Sequence, residues 1–303
     1  MLAGGAAGFV LRRAALAQGS GPSNSSGALT AVKLADNATL IAGAGSNVLA
    51  ITAADGVALV DGGSAEHAKE LTKMAAGVAQ GQPVKVLFNT HWHRECTGLN
   101  ETLGGSGTKI VAHENTRLWL TADVELEWQH KTYKPLPKAA LPNDTFYTNG
   151  KMTFGGEPIE YGYLPQAHTD GDIYVFLPKS NVLMAGDLVS VGQYPILDYV
   201  TGGWIGGMVD AQKALLALAN AETRIVPGVG PVQTRADLQA EFDMLSKVKD
   251  TLVKLMRQGF SPRDMIAAAP TKEFDAKWGN PELFIANAYR GMWGHVRELG
   301  GIV

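Results

Sequence analysis

The run Val84-Lys85-Val86-Leu87-Phe88 gives way two residues later to His91-Trp92-His93-Arg94-Glu95-Cys96. A short apolar run bounded by polar residues is the pattern of a buried strand. Histidines at i and i+2 just beyond its end can send alternate side chains into one cleft, as His-x-His metal ligation requires. The chain is thereby constrained to a sheet whose strand ends open onto a cleft. Two later segments have the same character. His168-Thr169-Asp170-Gly171-Asp172 precedes the apolar pattern at 173–177, and Gly186-Asp187 follows the one at 182–185.

With 303 residues, 46% of them hydrophobic and 18% charged, the chain is long enough for one large domain with a well-buried core. A formal net charge of -3 gives no electrostatic case for nucleic acid or an anionic membrane as partner. One cysteine excludes an intramolecular disulfide, and no run of about 18 apolar residues suggests a membrane span. The N-terminus is distinct. Met1 to Leu11 is small and apolar, Arg12-Arg13 interrupts it, and Ala15-Leu16-Ala17 before Gln18 resembles a signal-peptidase site. The basic pair follows the apolar run instead of preceding it. The segment is therefore either a truncated export signal, which places the protein in the periplasm or outside the cell, or a plain leader on a cytoplasmic protein. Residues 18–29 are Gly/Ser-rich and have linker composition. These features predict a leader and linker over 1–31 and a single domain over 32–303.

Periodicity and turn residues predict strands at 39–53 and 57–60, joined at Asp55-Gly56, then a helix at 65–79 and a strand at 84–88. A helix near 97–103, a strand at 109–112 and a helix at 114–122 follow. Residues 126–143, rich in Lys, Pro and aromatics, read as an irregular loop able to reach over a site. Strand pairs are expected at 151–154 with 159–164 and at 173–177 with 182–185, then a helix at 209–219 and a strand at 224–226. Thr234 with Asp237, and Ser261-Pro262 with Asp264, mark two helix starts. This alternation gives an α/β class.

His91-x-His93, the distant His168, Gly186-Asp187 and Pro227-Gly228-Val229-Gly230 together resemble the metallo-β-lactamase superfamily, with its H-x-H-x-D-H, later His, Gly-Asp and Pro-Gly-His-Gly. The resemblance covers roughly residues 35–235. It implies a four-layer αββα sandwich, here with a helical C-terminal tail, and a hydrolase dependent on zinc. His91, His93 and His168 match the first metal site. Asp187 matches the carboxylate that binds or bridges metals, the lesser alternative being an aspartate that caps the turn after a strand. Asp172 and Asp61 are expected to brace loops around the ligands.

Three positions depart from the family pattern, all in its second metal site. Glu95 stands where the family has Asp, Cys96 where it has His, and Val229 where it has His. The added methylene of Glu95 displaces its oxygens by about 1.5 Å, well beyond the tolerance of a ligand distance. Cys96 can ligate as a thiolate or pack as a small buried hydrophobe. Val229 ligates nothing. The resemblance thus implies one zinc ion, with a second resting on Glu95, Cys96 and Asp187. Glu95 stands in as the general base that orients water.

Weaker candidates surround this set. Tyr194–Tyr199 and Gly202–Gly207 form a glycine-flanked aromatic segment that is either a substrate wall or loop packing. Trp92 is expected to pack beside the site and His113 to have a structural or supporting role. His67, His130 and His295 are expected at the surface. The apolar stripe in 284–299 suits core or lid. The sequence thus points to a hydrolase cleaving an ester, thioester, lactone or lactam in a small-molecule substrate with metal-bound hydroxide. The alternative is a catalytically impaired relative that binds a ligand or partner through the same cleft. Oligomeric state is not encoded in these patterns.

Overall fold

The computed structural model of the chain describes residues 28–300. The signal-like segment ending at Ala17 lies outside them. In chain order the elements are strands β1 (Thr30–Ala35), β2 (Ala38–Ala42), β3 (Val48–Ala53) and β4 (Gly56–Val60), helix α1 (Ala68–Val78), β5 (Val84–Phe88) and α2 (Asn100–Gly104). Then come β6 (Lys109–His113), α3 (Glu114–Trp119), β7 (Val124–Leu126), β8 (Lys131–Tyr133), β9 (Asp144–Phe146), β10 (Asn149–Phe154), β11 (Glu157–Tyr163), β12 (Ile173–Leu177) and β13 (Val182–Gly186). The chain closes with α4 (Ile205–Leu218), β14 (Arg224–Pro227), α5 (Arg235–Arg257), α6 (Pro262–Ala267), α7 (Asp275–Trp278) and α8 (Glu282–Gly294).

Seven strands form one sheet in the order β1-β2-β3-β4-β5-β6-β9, and five form a second in the order β10-β11-β12-β13-β14. Side-chain alternation sorts them into layers. Ala58 and Val60 of β4, with Leu49, Val86 and Phe88, pack against Ile173, Val175, Met184 and Val226 of the other sheet. The intervening Val57 and Leu59 face the other way, onto Leu71 and Ala75 of α1. On the far side Leu183, Ala185 and Ile225 pack against α4, α5 and α8. The result is the expected αββα sandwich with a helical C-terminal region. Covered on both faces, β4 and β13 are buried at every position, which is why they read as continuous apolar runs.

Both sheets send their functional loops to one end. β4 and β5 are parallel, so Asp61 and the His91 segment leave neighbouring strand ends. β13 and β14 are parallel too, which puts Asp187 beside Gly228. β12 runs antiparallel to β13, and the His168 loop preceding it reaches the same end.

Several sequence expectations need correction. The single strand expected over 39–53 is two, β2 and β3, because Gly43 and Gly45 adopt positive φ and turn the chain. β1 begins at Thr30, two residues inside the segment assigned to the linker. Residues 126–143 are not wholly irregular: β7 and β8 pair as a small hairpin whose Val124 and Leu126 pack with the fully buried Trp92. Helix α4 starts at Ile205, four residues before the expected 209, and so absorbs Gly206 and Gly207. Both capping boxes, at Thr234/Asp237 and Ser261/Asp264, are present as expected. Among the described residues no helix is long and apolar enough to cross a membrane.

Candidate metal centre

The structure brings His91, His93, His168 and Asp187 together, one donor atom from each lying within 4.8 Å of all the others. His168 Nε2 is 3.1 Å from His93 Nδ1 and 3.5 Å from Asp187 Oδ2, and His91 Nε2 is 3.8 Å from the same oxygen. The three rings meet edge to face, with centroids 4.7 to 4.8 Å apart. A tetrahedron with bonds of about 2.0–2.1 Å has edges of roughly 3.3–3.4 Å, so the observed spacings bracket those of a four-coordinate ion.

Each imidazole is held from behind. Asp61 accepts hydrogen bonds from Thr90 N (2.8 Å) and Thr90 Oγ1 (2.9 Å), and Thr90 Oγ1 lies 3.0 Å from His91 Nδ1. With its own proton given to Asp61, the Thr90 hydroxyl accepts from His91 Nδ1–H, leaving the lone pair on Nε2. His168 Nδ1 lies 2.8 Å from the Ile196 carbonyl, which only accepts, so its lone pair is also on Nε2. His93 Nε2 lies 3.1 Å from Asp198 Oδ2, which leaves the lone pair on Nδ1. In these tautomers, which are assigned from their partners, His91 and His168 turn an unprotonated Nε2 inward, and the proton of a charged His93 sits on Nδ1, 3.1 Å from His168 Nε2.

The electrostatics agree with a site built for a cation. Burial, followed by the neighbouring His93 and His168, pushes His91 well below its ordinary value, so the ring is neutral. Burial also disfavours charge on His93, but its bond to Asp198 and the charges of Glu95, Asp198 and Asp187 reverse this and lift it to about 9. The same bond overcomes the effect of burial on Asp198 and holds that carboxyl below its usual range. A cation arriving at His93 Nδ1 thus displaces a proton. Burial raises Asp187, with Glu95 adding to the shift, and pushes Asp61 up to about 8 against its Thr90 bonds.

Glu95 and Cys96 lie beside this cluster and outside it. Glu95 Oε1 is 3.7 Å from His93 Nδ1, and Cys96 Sγ is 4.0 Å from His91 Nε2. Cys96 is fully buried. Burial, then Asp61, Asp187 and Glu95, push its thiol well above the ordinary range, so it stays protonated. Val229 is at the cleft rim, 41% exposed. Asp172 accepts from Thr169 N and Oγ1, both at 2.8 Å, bracing the His168 loop as expected.

Other expectations are revised. The wall beside His168 and Asp187 is built from Val189, Ser190, Val191, Gln193, Ile196 and Val229, so the segment 194–199 lines it through Ile196 and not through its aromatic residues. Tyr194 turns away into the core, where it stacks on Phe284 and bonds Asp275. Trp204 stacks on His295, which is buried under it rather than at the surface. His113 caps α3 and stacks on Tyr163, a structural role. Trp92 packs edge-on against His93 and donates to Thr201. Sequence reasoning missed Asp198 and Asn47. Asn47 Nδ2 donates to the carbonyls of Pro227 (2.9 Å) and Gly230 (2.8 Å), and its backbone N donates to Gly228 (2.7 Å). Nothing local marks either residue; only the folded loops show their partners.

A cleft of histidines and a carboxylate at the common end of an αββα sandwich defines a class, and comparison with known proteins agrees. A profile of the metallo-beta-lactamase superfamily matches residues 41–229, and the chain belongs to that family. Metallo-beta-lactamase type 2 of Bacillus cereus is 28% identical over 201 residues, covering 66% of this chain and 73% of that protein. Metallo-beta-lactamase IND-1 of Chryseobacterium indologenes is 24% identical over 165 residues, 54% of this chain, and the match spans 63% of that protein's length. A solved metallo-beta-lactamase from Pontibacter korlensis superposes with a TM-score of 0.59 at 22% identity, over 72% of this chain and 99% of that one, which shows the shared fold.

Proposed function

We propose that the protein is a zinc-dependent hydrolase acting on an ester, thioester, lactone or lactam-type bond of a small molecule. The observation that carries this reading is the convergence of three imidazole nitrogens and the Asp187 carboxylate in a cleft open to solvent. That donor set suits zinc. When bound, zinc supplies an activated water at neutral pH and a Lewis acid for the scissile carbonyl.

The chain's own residues supply the rest. His91, His93 and His168 hold the ion and Asp187 completes the set. Asp198 and the Asp61–Thr90 pair fix the rings, removing the rotational freedom that would blur the donor positions. Glu95 lies on the open side near His93, and its carboxylate takes the proton of the attacking water. Trp92 and the hairpin of β7 and β8 exclude water behind His93. One ion is assigned, because Cys96 is a buried thiol and Val229 has no donor. The Ala-Leu-Ala-Gln sequence at 15–18 supports export to the periplasm, and the relatives' names support a lactam among the candidate substrates.

Elemental analysis after zinc loading and desalting should approach one zinc per chain, and a panel of nitrocefin, thioesters and lactones should show turnover that His168→Ala abolishes. Near-zero metal after reconstitution would overturn the reading. One bound metal with no turnover on any carbonyl substrate would leave the binding-module alternative.

A further inference from the structure

The wall of the cleft next to Asp187 is chemically one-sided. Val189, Val191, Ile196 and Val229 give it an aliphatic surface, and Ser190 and Gln193 are its uncharged polar members. Among the described residues that line it there is no lysine or arginine. A carboxylate seated here would shed its water without a cation to meet it, and would face Asp187. An aliphatic group has no such cost, and gains roughly fourfold in affinity for each buried methylene.

This surface is preformed. Val229 stands on a turn whose carbonyls, before and after it, are held by the Asn47 side chain, while Gly228 O accepts from the Asn47 backbone. The turn is pressed onto the metal cluster: a Cβ at Gly228 would lie 1.8 Å from Asp187 Oδ1. On the other side, a Cβ at Gly230 would sit 3.1 Å from Val191 Cβ. Val229 is therefore fixed between the ligand Asp187 and the aliphatic wall, yet remains 41% exposed toward the cleft.

We propose that this wall is a specificity subsite for an uncharged aliphatic group of the substrate, that Val229 is its determining residue, and that substrates carrying an anionic group at that position are rejected. The word substrate rests on the hydrolase reading; the subsite itself does not, so it is tested first by binding.

Hexanamide and adipamate have the same length and differ at the far end, where adipamate is a carboxylate. Each is titrated into zinc-loaded and metal-free full-length protein, with backbone amide shifts of Ser190, Val191, Gln193 and Val229 followed by NMR. Hexanamide should bind about tenfold or more tightly than adipamate, Val229→Ala should weaken it several-fold, and Val229→Lys should invert the order. Equal or tighter binding of adipamate, an unchanged ratio in Val229→Lys, or no shift at these amides would overturn the proposal. The same contrast is then run as turnover with 4-nitrophenyl hexanoate and the 4-nitrophenyl monoester of adipic acid, which share a leaving group. A binding preference with no turnover of these esters or of the nitrocefin, thioester and lactone panel refutes the hydrolase reading and leaves the subsite standing. Turnover without preference refutes the subsite alone.

Discussion

Glu241 of α5 is only 1% exposed, and both its carboxylate oxygens accept from Ser190 N at 3.1 Å. No ion pair reaches it among the described residues. Burial pushes its carboxyl from 4.5 up to about 8, against the lowering bonds from Ser190 and Gln212. Folded Glu241 therefore keeps its proton to about pH 8, whereas the unfolded chain releases it near 4.5. Above 4.5 the unfolded state holds fewer protons, so this group's contribution to stability is complete at low pH and is lost as pH rises to about 8. At up to about 1.4 kcal/mol per pH unit, flattening near the upper end, the loss between pH 6 and 8 is about 2 kcal/mol. Glu241→Gln keeps the shape and removes the titration, and its amide can donate to the buried, unpartnered Gln212 Oε1. Denaturant melts of both proteins at pH 6, 7 and 8 in chelator should show the variant gaining about 2 kcal/mol on the parent across that range, equivalent to roughly 4 °C. Asp61, Asp172 and His93 titrate identically in both and cancel in the difference. A gap that stays constant with pH would refute the argument, because it would mean that Glu241 is already ionised in the fold.

Three further outcomes are expected. Asp198→Asn should weaken zinc binding by about 10- to 100-fold in competition with a chromophoric chelator, since the His93 ring loses its charged anchor; unchanged affinity would make Asp198 merely structural. Gly228→Ala should also lose metal, because its Cβ occupies the place of Asp187 Oδ1, whereas Gly77→Ala, with nothing within 4 Å, should leave metal binding alone and stabilise α1 by roughly 0.5–1 kcal/mol. Glu95→Asp, Cys96→His and Val229→His together should raise the metal count from one toward two, with each single change doing less, and a triple variant that still holds one ion would show that the cleft has diverged beyond its donors.

The layers of the fold were legible because they rest on patterns with a physical period, and the His/Asp cluster was legible through its likeness to a family pattern. The runs at 84–88, 173–177 and 182–185 are strands as read, and His91, His93, His168 and Asp187 converge. What failed was turn chemistry and direction. The glycines at 43 and 45 carry the positive φ that breaks one expected strand into two, and they sit within a stretch whose apolar alternation runs on either side. His295 looks like a surface residue because nothing local shows that Trp204, 91 residues earlier, will cover it. Asp198 supports His93 across 105 residues, a separation that no motif spans.

Such separations bear on how the site comes into being during synthesis. Asn47, His91, His93 and Cys96 all leave the ribosome well before the second sheet exists, and the turn that Asn47 clamps lies 180 to 183 residues behind it. Until the second sheet emerges and docks, the nascent chain has the Asp61–Thr90 support of His91 but lacks His168, Asp187 and the Asp198 that holds His93. Long-range docking of this kind is slow. The Asn47 clamp thus marks the moment when the half-site stops being a generic metal trap and acquires its final geometry.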